Sequence, residues 1–179
     1  MSTAAESVKR YSSFFKKQNA LNVLDYGTGN MRNAVYLANQ GFTVYAADLP
    51  EQVAKLEGCP AIRHVERLLA TDELLRSRLN VDLVLSTYVF NIIMGSGERH
   101  SYLETAVANM RRGGYLLMEV RCRRPEAACG DSCKHFFSCP ECAKTLTHDE
   151  LDSLMAPHGL RRISHYYRSH AVSAIYVRE

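Results

Sequence analysis

The stretch Val23-Leu24-Asp25-Tyr26-Gly27-Thr28-Gly29-Asn30 decides the fold. An apolar run ends in an acid and two glycines and passes into residues of helical pattern, which reads as a strand, a tight turn and a helix N-terminus. Glycine serves such a turn twice. It adopts positive φ without a Cβ penalty, and it lets a ligand approach the backbone N–H groups that open the helix. A second strand-like run, Val44-Tyr45-Ala46-Ala47-Asp48, follows. An acid closing that strand is placed to accept both hydroxyls of a ribose. The two motifs together point to a nucleotide-like cofactor. A dinucleotide fingerprint would continue as G-x-G-x-x-G, whereas here Arg32 stands where the third glycine would be.

Asp25-x-Gly27-x-Gly29, with Asp48 after the next strand, resembles the first two motifs of class I S-adenosylmethionine-dependent methyltransferases. The longer run from Asp25 to Ala38, with Gly41 and Val44 after it, is similar to the tellurite-resistance and thiopurine type, in which Gly-x-x-Arg-Asn leads into Tyr-Leu-Ala; the usual third glycine of the family motif is Met31 here. The resemblance implies an α/β three-layer sandwich with a Rossmann-like, mostly parallel sheet and an antiparallel C-terminal hairpin. It implies S-adenosylmethionine as cofactor, with Asp25, Gly27 and Gly29 at its methionine end and Asp48 at its ribose. Leu69, Thr71 and Asp72 are then expected near the adenine, although Thr71 or Asp72 would equally serve as a helix cap.

At 179 residues and a net charge of +3 the chain is expected to form a single domain with a sizeable core, and bulk charge does not demand nucleic acid. No apolar run is long enough for a membrane span, and residues 1–20 lack the apolar centre of a signal peptide, so a cytoplasmic location is expected. In that compartment the six cysteines read as thiols or metal ligands, not disulfides.

In chain order, Val8, Tyr11, Phe14 and Phe15 recur at helical spacing over 5–18. In the fold implied by the resemblance this helix packs over the cofactor, making Tyr11 and Phe15 candidates to line it; an amphipathic helix docked on the sheet has the same pattern. Strands are predicted at 21–26 and 42–47, with a helix at 30–40 between them, ended by Gly41. Pro50 opens a short helix to Leu56. A third strand is predicted at 61–65, interrupted by Arg63. Ser101 and Glu104 have capping-box spacing ahead of the stripe Leu103, Ala106, Val107 and Met110. Gly113-Gly114 ends that helix and starts a strand at 115–120, with Glu119 near its end, either acting on substrate or pairing with an arginine. Thr147 and Glu150 repeat the capping-box spacing, Gly159 stops the helix, and 160–167 and 171–177 read as a closing hairpin.

Val81 to Ile93 is a continuous apolar run that turns polar at its carboxyl end. Parallel sheets bind their ligands beyond the carboxyl ends of strands, so Ser86, Thr87, Tyr88 and Asn91 are the candidates to position a methyl acceptor. Capping of a turn by Asn91 and burial of Tyr88 are the plainer readings. Val89-x-Asn91 with Arg99 following is similar to a segment of methyltransferases found in DNA-modification gene clusters.

Residues 122–146 break the alternating pattern and carry five of the six cysteines. Cys129, Cys133, Cys139 and Cys142 supply the four thiolates of a tetrahedral zinc site, with an iron–sulfur cluster as the other option and Cys122 and His135 as substitutes. Arg121, Arg123, Arg124, Arg161, Arg162 and Arg168, with Tyr166 and Tyr167, would suit a basic aromatic face for nucleic acid; solvated strand edges are the plainer reading. The expectation is methyl transfer from S-adenosylmethionine to an unidentified acceptor, a nucleic acid or a small molecule. The alternative is a non-catalytic S-adenosylmethionine-binding or partner-binding protein that uses the cysteine segment for interaction.

Overall fold

The computed structural model describes residues 3–93, 95–122, 145–168 and 171–179. The elements run α1 (Glu6–Lys17), β1 (Asn22–Tyr26), α2 (Arg32–Asn39), β2 (Thr43–Asp48), α3 (Pro50–Leu56), a 3-10 turn (Pro60–His64), β3 (Arg67–Ala70), α4 (Thr71–Arg76), β4 (Val81–Thr87), α5 (Ser96–Asn109), β5 (Met110–Arg121), α6 (His148–Met155), a second 3-10 turn (Ala156–His158), β6 (Leu160–Arg168) and β7 (Ala171–Arg178). They build a seven-stranded sheet in the order β3-β2-β1-β4-β5-β7-β6. The first five strands pair in parallel. β7 enters antiparallel between β5 and β6, which is the expected closing hairpin.

Period-two alternation along the strands sorts side chains between two apolar layers. Val23, Leu83, Leu85, Leu117 and Ile175 face one side, where Val8 and Phe15 of α1 and Ala34 and Leu37 of α2 cover them. Leu24, Val84, Leu116, Met118 and Tyr176 face the other, under Leu74 of α4, Tyr102 and Leu103 of α5, and Leu151 and Met155 of α6. Each buried Val, Leu, Ile, Phe or Met among them contributes about 1.5–3 kcal/mol of transfer free energy. The chain winds outward from β1 through β2 to β3, then crosses back to β4 on the other side of β1. The reversal opens a crevice at the carboxyl ends of β1 and β4, where such sheets bind ligands.

Four local expectations are corrected, the first being the end of α5: it stops at Asn109, and Met110, Gly113 and Gly114 belong to β5. The third strand is β3 at Arg67–Ala70 and not 61–65, because Pro60 fixes its own φ and starts a 3-10 turn through His64. Neither Thr71 nor Asp72 caps α4: both lie inside it, and Glu73 instead accepts the Ala70 N–H at 3.2 Å. Ser101 does not open α5, which begins at Ser96 after Gly95; the Ser101 carbonyl accepts from Thr105 Oγ1 within the helix. The Thr147–Glu150 capping box does form, with Thr147 N–H to Glu150 Oε2 at 2.7 Å and Glu150 N–H to Thr147 Oγ1 at 3.2 Å. Among the described residues no helix is long and apolar enough to cross a membrane.

Candidate active site

The glycine turn is held from below by β2. The N–H groups of Gly27 and Thr28 both donate to the Ala47 carbonyl, at 2.7 and 3.1 Å. Gly27 has φ +87°, and a Cβ built there would stand 2.2 Å from Val89 Cγ2, so this glycine is needed for conformation and for close approach. Asp25 is 1% exposed, and its carboxylate accepts the Thr28 hydroxyl at 2.8 Å. Burial pushes its pKa from 3.8 up to about 6, against the stabilising hydrogen bonds of Thr28 and the Ala34 N–H. Asp25 therefore shapes the loop from beneath. Met31 occupies φ +60° and is completely buried, so it keeps the left-handed backbone of the glycine it stands for and adds core volume.

Asp48 ends β2 beside this turn. Its Oδ2 accepts the Gly29 N–H at 2.7 Å and its Oδ1 the Leu49 N–H at 2.8 Å, while Gln52 Nε2 donates to the Gly29 carbonyl at 2.9 Å. A carboxylate has about four lone-pair sites, so two hydrogen bonds leave acceptor capacity on both oxygens.

The acceptor-side candidates divide by strand parity. Thr87 shares a face with α1 and α2, and its Oγ1 accepts from Asn33 Nδ2 at 2.8 Å. Asn33 Oδ1 in turn accepts the Ala5 N–H at 2.8 Å, tying the start of α1 to the end of β4. Ser86 points to the opposite face, fully buried, 2.8 Å from the Tyr102 hydroxyl. The Ser86 hydroxyl is therefore placed in the core between β4 and α5. Tyr88 follows in a left-handed conformation with φ +60° and is 36% exposed. Both of its ends engage Glu119: its N–H donates to the Glu119 carbonyl at 2.7 Å and its hydroxyl to Glu119 Oε1 at 2.9 Å. Burial, then the charge of Glu119, raise the Tyr88 pKa. Asn91 is buried, and its Oδ1 has no hydrogen-bond partner among the described residues, which is uncommon for a buried polar atom.

Thr71 sits at the start of α4, and Asp72 is exposed and paired with Arg76 of its own helix at 3.4 Å. Phe15 is core, packed edge-on against Phe14, and Tyr11 reaches Ser164 of β6 at 3.1 Å. Ser7 of α1 does reach the carboxyl edge, where its hydroxyl donates to Glu119 Oε2. The contacts of Ser7, Asn33 and Val89 were not legible in the sequence, because their partners are separated from them by 112, 54 and 62 positions. Cys129, Cys133, Cys139 and Cys142 lie outside the described residues, and among the described ones no group of three metal-ligating side chains occurs. Arg161, Arg162 and Arg168 pair with Glu179, Asp152 and Glu6, which matches strand-edge ion pairs. A cavity of about 380 Å³ lined by Asp152, Leu160, Arg162 and Tyr176 lies where β6 begins, at the end of the sheet opposite the glycine turn.

A model of the family described as "Methyltransferase domain" matches residues 2–165. The chain belongs to this methyltransferase family. No curated protein matches the sequence. Solved methyltransferases share the fold at low identity. Magnesium protoporphyrin IX methyltransferase from Synechocystis PCC 6803, with bound SAH, is 16% identical with a TM-score of 0.74, over 97% of this chain and 83% of that one. Human N-acetylserotonin methyltransferase in complex with SAM is also 16% identical, with a TM-score of 0.73, over 97% of this chain and 52% of that one. The 1,6-didemethyltoxoflavin-N1-methyltransferase of Burkholderia thailandensis, with bound S-adenosylhomocysteine, is 17% identical with a TM-score of 0.66, over 97% and 78%.

Proposed function

We propose that this methyltransferase takes its methyl group from S-adenosylmethionine bound over the Gly27–Gly29 turn. The observation that carries the reading is the pairing of that turn with Asp48 at the sheet's topological switch. A Cβ at Gly29 would meet nothing within 4 Å, so the backbone there faces open space beside a carboxylate that retains lone pairs. Asp48 holds the ribose hydroxyls, Gly27 and Gly29 let the methionine end approach the backbone, Asp25 keeps the turn in shape, and Thr71 and Asp72 lie toward the adenine. When bound, the sulfonium supplies an electrophilic methyl carbon. Thr87, Tyr88 and Asn91 hold the acceptor in line with it, and alignment accounts for most of the acceleration, because direct displacement needs little other help. The proximity of solved SAM- and SAH-bound methyltransferases in fold supports this assignment.

A thermal-shift series tests it. S-adenosylhomocysteine should raise the melting temperature of the wild type, and Asp48→Ala should remain folded while losing about 1.5–3 kcal/mol of binding per charged hydrogen bond removed. Stabilisation by NAD with none by S-adenosylhomocysteine would overturn the assignment. The four clustered cysteines carry a separate proposal, a structural zinc, which rests on their spacing in the sequence.

A further inference from the structure

Resting on that reading, we propose that Tyr88 and Glu119 form a proton relay that selects a hydroxyl group on an aromatic acceptor and removes its proton during methyl transfer. Three observations converge on the pair. Glu119 is only 4% exposed, and its two oxygens accept from Ser7 of α1 and from the Tyr88 hydroxyl. Tyr88 is the outward member, anchored to Glu119 by its amide as well as by its hydroxyl. The next residue, Val89, packs directly on Gly27, which brings the relay to the rim of the glycine turn.

The hydrogen-bond polarity then dictates what Tyr88 offers a ligand. A phenol has one hydrogen and two lone pairs, and this hydrogen is committed to a carboxylate that cannot donate one back. The Tyr88 oxygen therefore faces the site as an acceptor, which suits an incoming O–H and leaves an ether or carbonyl without a donor. Aromatic rings stand on the neighbouring strands: Tyr166 of β6 pairs with Ser173 of β7, which itself pairs with Glu119, and the Tyr166 ring is 5.7 Å from that of Tyr11, with the Arg10 guanidinium 4.4 Å over it. Such rings stack on a flat acceptor at centroid separations of 4.5–7 Å.

A lone pair of the acceptor oxygen forms the new O–CH3 bond while the methyl–sulfur pair returns to sulfur, cancelling the sulfonium charge. The acceptor's proton passes to the Tyr88 oxygen as the Tyr88 proton passes to Glu119 Oε1, and it leaves later to solvent. Passage has to be concerted, because the neighbouring carboxylate makes a free tyrosinate unfavourable. Ser7 is a positioning residue: it fixes the far oxygen of Glu119 and ties the acid to α1.

The test uses the whole chain with S-adenosylmethionine and a graded series of substituted phenols. Glu119→Gln should lose roughly 100-fold or more in rate on weakly acidic phenols and far less on strongly acidic ones that ionise unaided. Tyr88→Phe, a change on a half-exposed turn, should show the same pattern. Independently of turnover, the protein loaded with S-adenosylhomocysteine should bind phenol more tightly than anisole, and both variants should lose that preference. An equal loss on every phenol, equal wild-type affinity for phenol and anisole, transfer to thiols or alkyl amines only, or no binding of either probe would each overturn the relay. Absence of any stabilisation by S-adenosylhomocysteine would instead fail the cofactor assignment.

Discussion

Val89 closes over Gly27 so tightly that no side chain fits between them, with a Cβ on Gly27 reaching to 2.2 Å from Val89 Cγ2. Gly27 also has φ +87°, so Gly27→Ala meets two separable penalties. The backbone term and the overpacking together should cost roughly 2–4 kcal/mol. Adding Val89→Ala should recover the overpacking part and leave the φ part, a non-additive cycle readable by urea denaturation. Additive losses in the double variant would mean that the two residues do not press on each other.

Asp25 should make the protein less stable as pH rises. Its folded-state pKa is raised by burial from 3.8 to about 6, so the folded chain holds the proton more tightly than the unfolded chain. That preference is fully present below about pH 4 and is lost by about pH 6, an interval worth up to about 3 kcal/mol at 1.36 kcal/mol per pH unit. Other acids titrate in the same range, so the informative quantity is the stability difference between wild type and Asp25→Asn. It should move in favour of the wild type as pH falls from 6 to 4. A difference that stays flat across this interval would show that Asp25 is ionised in the fold.

The β1–α2–β2 unit was legible because its signals are local: apolar alternation, a Gly-x-Gly turn and acids at strand ends. The third strand was misplaced because Leu68 and Leu69 form a strand only through pairing with Ala46 and Ala47, while Pro60 to Val65 looks as apolar. Ser101 misled because Ser-x-x-Glu is also ordinary i,i+3 spacing inside a helix. The opposite facing of Ser86 and Thr87 was legible in the sequence, since neighbours in a strand point to opposite faces of the sheet. The partners of Glu119 were not legible. Ser7 reaches it from 112 positions upstream, and no local pattern encodes that.

The cysteine segment gives a prediction from spacing alone. Four thiolates within one short stretch should bind about one zinc per chain, coupled to local folding. Elemental analysis should find that zinc in wild type and lose it in Cys139→Ser and Cys142→Ser. The sheet has its own apolar layers, so stabilisation by S-adenosylhomocysteine should survive both changes. Free alkylation of Cys129, Cys133, Cys139 and Cys142 in the native protein would rule the metal out.

Asn33 should control the docking of α1. Its side chain accepts the Ala5 N–H and donates to Thr87, and it is 3% exposed, so truncation to alanine strands a buried donor and a buried hydroxyl. Even one unsatisfied group of this kind costs about 1–3 kcal/mol. A loss near 2 kcal/mol confined to α1 corresponds to roughly 30-fold faster amide exchange across that helix, at tenfold per 1.4 kcal/mol. Val8 and Phe15 still hold the middle of α1 against the sheet, so the effect should be strongest toward Ser7, which is the contact with Glu119. Asn33→Ala should therefore speed exchange at the start of α1 while β1 and β4 keep their protection. Uniform acceleration over the sheet would show that Asn33 supports the whole fold and not this one attachment.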